Sequence, residues 1–474
     1  MTRLTTYVCA FGISGILAGS TANGQAMPNL YLFPNSTGFL ATYNASGEPI
    51  NLTGPFFQSL GTNGRSCGSC HRPAQGWSVS ADELKARFEA TQGLDPVFRT
   101  NDGSNCDHII DTSTVGGRRQ AYSLLIDRGL FRIALPVPAD AEFQVVGVVN
   151  PYGCNAPATL SVYRRPLPAT NLRFLSAVMW DGRESSPQTG TQKITFATNP
   201  ADLLADLEHQ AADAVSGHAQ ARIALSPEQR RAIASFEMGL STAQAIDSHA
   251  GRLDDDGATG GPTALALETT PAFFVGINDP LGGNPSGAAF ISKIFNLFDP
   301  WNQGVKGDAR GDLLNRRASI SRGQVLFNSK PIQITGVAGL NDDLGLAVIP
   351  GTCGTCHDAP NAGNHSVAVA LNIGVGDLTS PLDLSYLPAF TFQNNHTHEI
   401  KTTTDPGRAL ITGLWKDLGK VKGPVLRGLA ARAPYFHNGS AAALTDVLEF
   451  YERRFHLQFT PQEKIDLIAF LNAL

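Results

Sequence analysis

The sequence lacks several features that would indicate particular classes of protein. No run of roughly 18 apolar residues follows the first 26 residues, so we expect no transmembrane helix. The formal net charge of the 474 residues is only −5, which gives no indication of a nucleic acid or an anionic membrane as partner. Methionine is scarce, and the last of its four residues is Met238. Glycine (48) and proline (29) are abundant, which predicts long ordered loops.

Residues 1–26 have the features of a secretory signal peptide. Arg3 supplies the basic region, Tyr7–Ala18 the apolar region, and Gly24-Gln-Ala26 a small-x-small cleavage site. We therefore predict cleavage after Ala26 and a periplasmic or secreted protein. The alternative is a buried N-terminal helix.

Six of the seven cysteines remain after such cleavage, and four of them form two copies of one motif. The copies are Cys67-Gly-Ser-Cys70-His71 and Cys353-Gly-Thr-Cys356-His357. In a C-x-x-C-H element two thiols can bond to the two vinyl groups of one haem, and the histidine lies under the iron as its ligand. A zinc knuckle or a redox dithiol would require further ligand pairs or a βαβ pattern. The two motifs therefore predict two covalently bound haem c groups, with His71 and His357 as iron ligands.

Cys106 and Cys154 are the two cysteines outside the haem motifs. In an oxidising compartment they could form a disulfide across a loop-rich region. The alternative is a pair of free buried thiols. The same region contains a β-like run at 142–149 that is consistent with a small hairpin.

Helix signals divide the remainder of the chain into two unequal repeats. Ser80 followed by Glu83 is a capping box, and Ser226 and Thr460 each precede a proline and an apolar stripe at helical spacing. Each repeat would run from a haem motif to a capped closing helix. We predict a mainly α protein with long loops and two cytochrome c-like domains, 27–249 and 318–474. Residues 250–317 are predicted to form an ordered crossover segment.

Several further motifs surround the haem motifs in a fixed order. They are Trp180-Asp-Gly-Arg183, Leu207-Glu-His-Gln-Ala211, Asp405-Pro-Gly-Arg408, Pro424-Val-Leu-Arg427 and Pro434-Tyr-Phe-His-Asn-Gly439. With them the sequence resembles the bacterial dihaem cytochrome c peroxidase/MauG superfamily, to which RoxA-like dioxygenases form a related branch. The resemblance implies two haems that face each other across a domain interface. It also implies that Trp180 lies between them; the alternative is a core aromatic that caps a helix.

The resemblance implies that the His71 haem reacts with peroxide, which requires a distal acid or base. In family peroxidases a glutamate follows the glutamine of the LEHQA-like motif by ten residues. Counted from Gln210, that position is Gln220, which cannot transfer a proton in the same way. His218 is the candidate replacement, and its alternative role is a capping or solvent-exposed side chain.

The sixth ligand of the His357 haem also departs from the family pattern. In the electron-accepting peroxidases a methionine lies fourteen residues after the PYFH histidine, and here that position is Tyr451. MauG has a tyrosine ligand in this role, and a phenolate stabilises ferric and higher oxidation states. We therefore predict Tyr451 as the ligand, with His437 as the alternative.

The resemblance further implies a calcium ion at the domain interface, near Asn171 and the carbonyl group of Pro434. It predicts an oxidoreductase that uses hydrogen peroxide or O2. A small cytochrome c, a cupredoxin or a protein side chain would supply the electrons. An O2-dependent RoxA-like dioxygenase and a non-catalytic electron-transfer cytochrome are the alternatives.

Overall fold

A computed structural model describes residues 25–106, 110–154, 159–185, 199–268, 273–302, 311–367 and 369–474. Most of the predicted signal peptide lies outside the described residues. Within the described ranges, no helix combines the length and hydropathy needed to span a bilayer.

The described part of the chain contains helices in both halves. They are α1 Ala81–Thr91, α2 Val115–Ala121, α3 Ser123–Arg128, α4 Pro200–Gly217, α5 Pro227–Met238, α6 Gly261–Glu268, α7 Gly311–Ser329, α8 Asn341–Leu344, α9 Ala409–Thr412, α10 Leu444–Arg454 and α11 Pro461–Asn472. The predicted starts of α1, α5 and α11 are confirmed. Ser226 and Thr460 form reciprocal capping boxes, whereas Glu83 in α1 pairs with Arg72 instead of completing the box at Ser80.

Short strands are more numerous than the sequence indicated. They are β1 Ala26–Met27, β2 Phe33–Asn35, β3 Gly38–Asn44, β4 Ile50–Asn51, β5 Phe131–Pro136, β6 Phe143–Val149, β7 Thr159–Arg164, β8 Leu240–Asp247, β9 Gly251–Arg252, β10 Ile332–Thr335, β11 Val348–Gly351, β12 Ala389–Asn394 and β13 Ile400–Thr403. Of the described residues, 33% are helical and 17% lie in strands or bridges. These proportions are those of an ordinary mixed protein, so the prediction of a mainly α fold is corrected.

Two sheets connect segments that are distant in sequence. One has the order β2-β3-β8-β9, and the other has the order β13-β12-β6. β6 lies in the first half and β12 in the second, and they pair antiparallel from Ala389 opposite Val149 to Asn394 opposite Phe143. The β-like run at 142–149 is thus a strand, but its partner comes from the other half of the chain. The two halves are consequently joined by backbone hydrogen bonds as well as by packing.

The crossover segment packs into the core where the structure describes it. Phe295 and Phe298 are buried against Phe327 and Phe470 of α7 and α11, and Phe273 packs edge-to-face on Phe174. α7 and α11 lie side by side, so the helix that leads to the second haem motif is held by the closing helix of the chain. The described part of this segment is therefore packed against the helices of the second half, and the predicted domain bounds stay a prediction.

Candidate functional site: two haem-attachment turns and the cavity at His71

The first haem motif forms a tight turn. Cys67–Ser69 is a single 3-10 turn that Ser66 and Ser69 cap reciprocally. The His71 Nδ1 lies 2.9 Å from the Trp77 carbonyl oxygen. A carbonyl group can only accept, so Nδ1 carries the proton and Nε2 keeps its lone pair for a metal.

The second motif repeats this geometry with different neighbours. Cys353–Thr355 is a 3-10 turn capped by Thr352 and Thr355, and the His357 Nδ1 donates to the Gly363 carbonyl oxygen at 2.7 Å. Burial lowers the pKa of both haem-motif histidines, which favours the neutral imidazole that ligates iron. The two turns are therefore built alike, down to the carbonyl group that fixes each ring.

The four thiols fit covalent haem better than zinc or redox chemistry. Neither pair is disulfide-bonded, and burial raises the pKa of Cys70 to about 11 and that of the other three thiols to about 12. Thiols with such pKa values are poor thiolate ligands and poor nucleophiles. Within the described ranges, only one group of three or more metal-ligating side chains occurs, and it contains none of these cysteines. The donor set fits haem c at both turns.

A cavity of about 180 Å³ opens beside the first motif, and its walls are mostly apolar. Its lining includes Cys67, Cys70 and His71 from the haem turn, and Trp180, Gln210 and His218 from the motifs that the sequence singled out. The structure thus brings the first haem motif and three of the four predicted catalytic residues to one site.

His218 is a half-exposed side chain of the cavity wall whose ring is fixed at one nitrogen. It caps the C-terminal end of α4, and its Nδ1 lies 2.5 Å from Asp102 Oδ2. Asp102 in turn accepts from Arg65 at 2.6 and 2.7 Å, and both side chains of this ion pair are buried. Since Asp102 holds the Nδ1 proton, the other ring nitrogen of His218 is free to accept a proton.

Gln220, the fourth predicted catalytic residue, does not fit that role. Its side chain is exposed and is not part of the cavity wall, and its amide oxygen lies 3.4 Å from the Asn63 Nδ2. The reason is local. α4 ends at Gly217, and Gln220 adopts φ 55°, so a position counted along a continuing helix is turned away.

Trp180 lies between the two halves of the chain. The indole is buried, its Nε1 donates to the Arg165 carbonyl oxygen at 2.8 Å, and its ring centroid is 6.0 Å from that of His437. Arg164 holds this region together, because it pairs with Asp181 beside Trp180 and with Asp405 beside His437. Trp180 therefore lies against both the first cavity and His437, and its position between two haems stays a prediction.

Tyr451 and His437 occupy different surroundings. Tyr451 packs in an apolar cluster that includes Cys353 and Cys356, and burial together with these thiols raises its pKa. His437 is buried beside Trp180, with its Nε2 3.7 Å from Asp405 Oδ2, and burial lowers its pKa to about 4. Tyr451 is therefore the side chain that adjoins the second haem turn.

The calcium prediction at Asn171 and the carbonyl group of Pro434 stays a prediction. The Asn171 side-chain amide donates to the Thr242 carbonyl oxygen at 2.9 Å, and its oxygen accepts from the Thr242 N–H at 2.8 Å, which leaves that oxygen one further lone pair. The metal-ligating group found among the described residues lies elsewhere, at Glu184, His209 and Asp213, whose ligand atoms lie within 4.8 Å of one another. The Glu184 carboxylate also lies 2.5 Å from the His209 Nδ1.

The two remaining cysteines are bonded to each other. The structure contains a disulfide between Cys106 and Cys154, with the Cα atoms 5.6 Å apart. The segment between the two cysteines contains α2, α3, β5 and β6.

Sequence reasoning missed three cavity residues. Asp102 gave no signal, because it is 116 positions from the histidine that it holds. Glu237 is a buried carboxyl group on α5, and burial raises its pKa to about 8. Lys422 adjoins the predicted Pro424-Val-Leu-Arg427 motif, but only the tertiary structure shows that it enters the first cavity.

Comparison with known proteins points to one group of relatives. A family model described as RoxA-like, cytochrome c-like matches residues 422–457. The cytochrome-c peroxidase IdrP1 of Pseudomonas sp. (strain SCT) is 30% identical over 35% of this chain and 42% of its own length. IdrP1 of Denitromonas iodatirespirans is 29% identical over 37% of this chain and 44% of its own length. The chain thus spans less than half the length of the curated relatives that it matches.

Two solved structures are also similar to the chain. A MauG-like protein associated with microbial copper homeostasis has a TM-score of 0.37 and 15% identity, over 89% of this chain and 85% of its own. A variant of the dihaem peroxidase BthA from Burkholderia thailandensis has a TM-score of 0.28 and 14% identity, over 94% of both chains. The curated relatives and the cytochrome c-like model support the assignment to the bacterial dihaem cytochrome c peroxidase/MauG superfamily.

Proposed function

We propose that this chain is a periplasmic c-type cytochrome with two covalent haems. It would reduce peroxide or carry out a MauG-like oxidation, with Trp180 passing electrons between the haems. The electrons would come from a small cytochrome c, a cupredoxin or a side chain of a protein substrate. The cytochrome-c peroxidases among its relatives support this class of chemistry.

The observation that carries the proposal is the His218–Asp102–Arg65 arrangement in the His71 cavity. Haem iron at this site would supply the redox chemistry of peroxide cleavage. The contribution of the chain is to move a proton between the two oxygens, which a histidine with one ring nitrogen fixed and the other free can do. Burial would raise the pKa of Asp102, but the hydrogen bond from His218 and the charge of the buried Arg65 hold it below its usual range. Asp102 is thus an ionised acceptor that fixes the tautomer of His218.

Gln210 and Trp180 complete the functional assignment. The amide group of Gln210 lies in the same cavity and can donate a hydrogen bond to a bound oxygen atom. Trp180 is an oxidisable aromatic between the cavity and His437. Tyr451, which packs beside Cys353 and Cys356, would serve as the oxygen ligand of the second haem.

The second candidate is an O2-dependent dioxygenase acting on an apolar substrate. It is favoured by the match of residues 422–457 to the RoxA-like cytochrome c model. A dry, aromatic-lined pocket without acid or base groups would be typical of that activity. The described wall of the His71 cavity has few aromatics, and it contains His218 and Glu237. Both features favour a peroxide-dependent enzyme over the dioxygenase.

The experiment is a steady-state assay of the purified holoprotein with hydrogen peroxide and reduced cytochrome c. We expect peroxide-dependent oxidation of the donor, and a loss of about 10²–10⁴ in kcat for His218→Ala, the usual contribution of a general acid–base. The matched control is His396→Ala, which removes an exposed loop histidine. Oxygen consumption without peroxide, in the presence of an apolar substrate, would instead indicate the dioxygenase.

A further inference from the structure

The His71 cavity receives one charged group from the second half of the chain. Of its described lining residues, all lie between 58 and 237 except Lys422. The Lys422 ammonium donates to the Ala177 carbonyl oxygen at 2.9 Å, and its backbone N–H donates to the Trp180 carbonyl oxygen at 2.9 Å. The side chain is therefore fixed next to the bridging tryptophan, at the wall of the first cavity.

Lys422 has no counter-charge in the described structure. The residue is only 6% exposed, and no carboxylate among the described residues perturbs its ammonium group. Burial lowers its pKa to about 7, which reflects the cost of holding an unpaired cation in an apolar setting. A second cation in the same cavity wall also lacks a counter-charge.

That second group is Arg165, which is 5% exposed. Its guanidinium contacts only carbonyl oxygens, at 3.2–3.5 Å, which are long for charge-assisted hydrogen bonds. Burial, together with the charge of another cation, Arg432, lowers the pKa of Arg165 to about 9. No carboxylate of the described residues pairs with it.

The other cations of the cavity wall are compensated. Arg65 pairs with Asp102, Arg164 with Asp181 and Asp405, and Arg183 with Asp181. Glu237 does not supply the missing charge, because burial alone raises its pKa and no cation perturbs it. Two unpaired cations buried in one cavity cost several kcal/mol unless an anion joins them. The chemistry of this wall therefore calls for a ligand with two negative groups.

We propose that Lys422 and Arg165 form a subsite for the two propionate carboxylates of the haem bound at Cys67, Cys70 and His71. Through Lys422, the second half of the chain would then tune the reduction potential of the first haem. The inference rests on the proposed dihaem function. Two cations and two carboxylates balance in charge, and each carboxylate gains the charge-assisted bonds that the apolar cavity otherwise lacks.

The test is a spectroelectrochemical titration of the holoprotein and of Lys422→Met. A cation near a haem favours the ferrous state, so its removal lowers the reduction potential. We expect the reduction potential of one haem to fall by about 59 mV, which is about tenfold in the equilibrium constant of a one-electron couple, while that of the other haem is unchanged. Lys422→Arg should restore the wild-type wave, and the exposed Lys416→Met is the matched control. Lys422→Gln, which keeps a donor for Ala177, replaces Lys422→Met if the methionine variant does not fold.

Haem content separates the two proposals. A pyridine haemochrome assay that finds fewer than two haems in the wild-type chain would contradict the proposed function itself. Two haems with both waves unchanged in Lys422→Met would overturn the propionate subsite alone. Adding succinate tests whether the two cations bind haem propionates or carboxylates from solution. A spectral shift in the wild type that Lys422→Met abolishes would show that free carboxylates reach the subsite, and it would also overturn the assignment. No response to succinate supports it.

Discussion

Arg164 connects the two halves of the site, and its removal should have a large and pH-dependent cost. Its guanidinium lies 2.5 Å from Asp181 and 2.6 and 2.8 Å from the two oxygens of Asp405, and all three side chains are at most 3% exposed. Burial would raise the pKa of Asp405, but the Arg164 charge outweighs it and the pKa lies below its usual range. Arg164→Met would leave both carboxylates buried with one cationic partner fewer.

Breaking a buried ion pair by removing one partner typically costs ~3–5 kcal/mol. We therefore expect Arg164→Met to lower the free energy of unfolding of the holoprotein by about 4 kcal/mol at pH 7.5. The measurement is urea denaturation followed by circular dichroism. Arg252→Met is the control, because the Arg252–Asp254 pair is exposed on both sides and such pairs contribute about 0–1 kcal/mol.

The pH dependence of the free energy of unfolding tests whether the loss in Arg164→Met comes from the buried carboxylates. In the wild type the depressed pKa of Asp405 gives stability above pH ~4, which is lost as the pH falls through the lower folded value. In Arg164→Met, Asp405 would be buried without its guanidinium partner and should have a raised pKa, so the variant loses stability as pH rises through that pKa. The deficit should thus be larger at pH 8 than at pH 5. Equal losses for the two variants, or a deficit that does not grow with pH, would refute this reasoning.

Three further predictions concern single side chains. Trp180→Phe keeps an aromatic ring but loses the bond to the Arg165 carbonyl oxygen, and we expect stopped-flow mixing with peroxide to show the second haem responding at least about tenfold more slowly at unchanged haem content. Replacing Cys106 and Cys154 by serine should lower the free energy of unfolding by ~4 kcal/mol relative to the oxidised wild type, because the disulfide spans a sequence separation of 48. The variant should be as stable as the reduced wild type, and a variant as stable as the oxidised wild type would contradict the prediction. Burial raises the pKa of Glu237 to about 8, so its neutral form gives stability that is lost as pH rises through that value. The melting temperature of Glu237→Gln should therefore exceed that of the wild type by an amount that grows between pH 5 and pH 9. A difference that does not change with pH would exclude this cause.

The haem-attachment turns and the helix starts could be predicted from the sequence, because the residues that form them lie within a few positions of one another. The C-x-x-C-H spacing places thiols and imidazole on one turn, and a backbone carbonyl group six residues further on fixes each ring, at Trp77 and at Gly363. The helix starts at Ser226 and Thr460 follow equally from side chains within one turn.

Features that depend on distant pairing could not be predicted. β6 and β12 are about 240 positions apart, and nothing in either segment specifies the other as its partner. The same holds for Asp102 with His218 and for Lys422 with the first cavity. Gln220 was misplaced because counting along a motif assumes that a helix continues, whereas α4 ends three residues earlier. The numerous short strands contributed no clear alternating pattern, so the helical content was overestimated.

The central claim is that the two haem sites are unequal and share one oxidation through Trp180. Electron paramagnetic resonance of the purified diferric protein, before and after one equivalent of hydrogen peroxide, tests it most directly. The account predicts a high-spin ferric signal from the His71 site and a second signal from the His357 site, both of which diminish after peroxide. Two low-spin signals that peroxide leaves unchanged would contradict it.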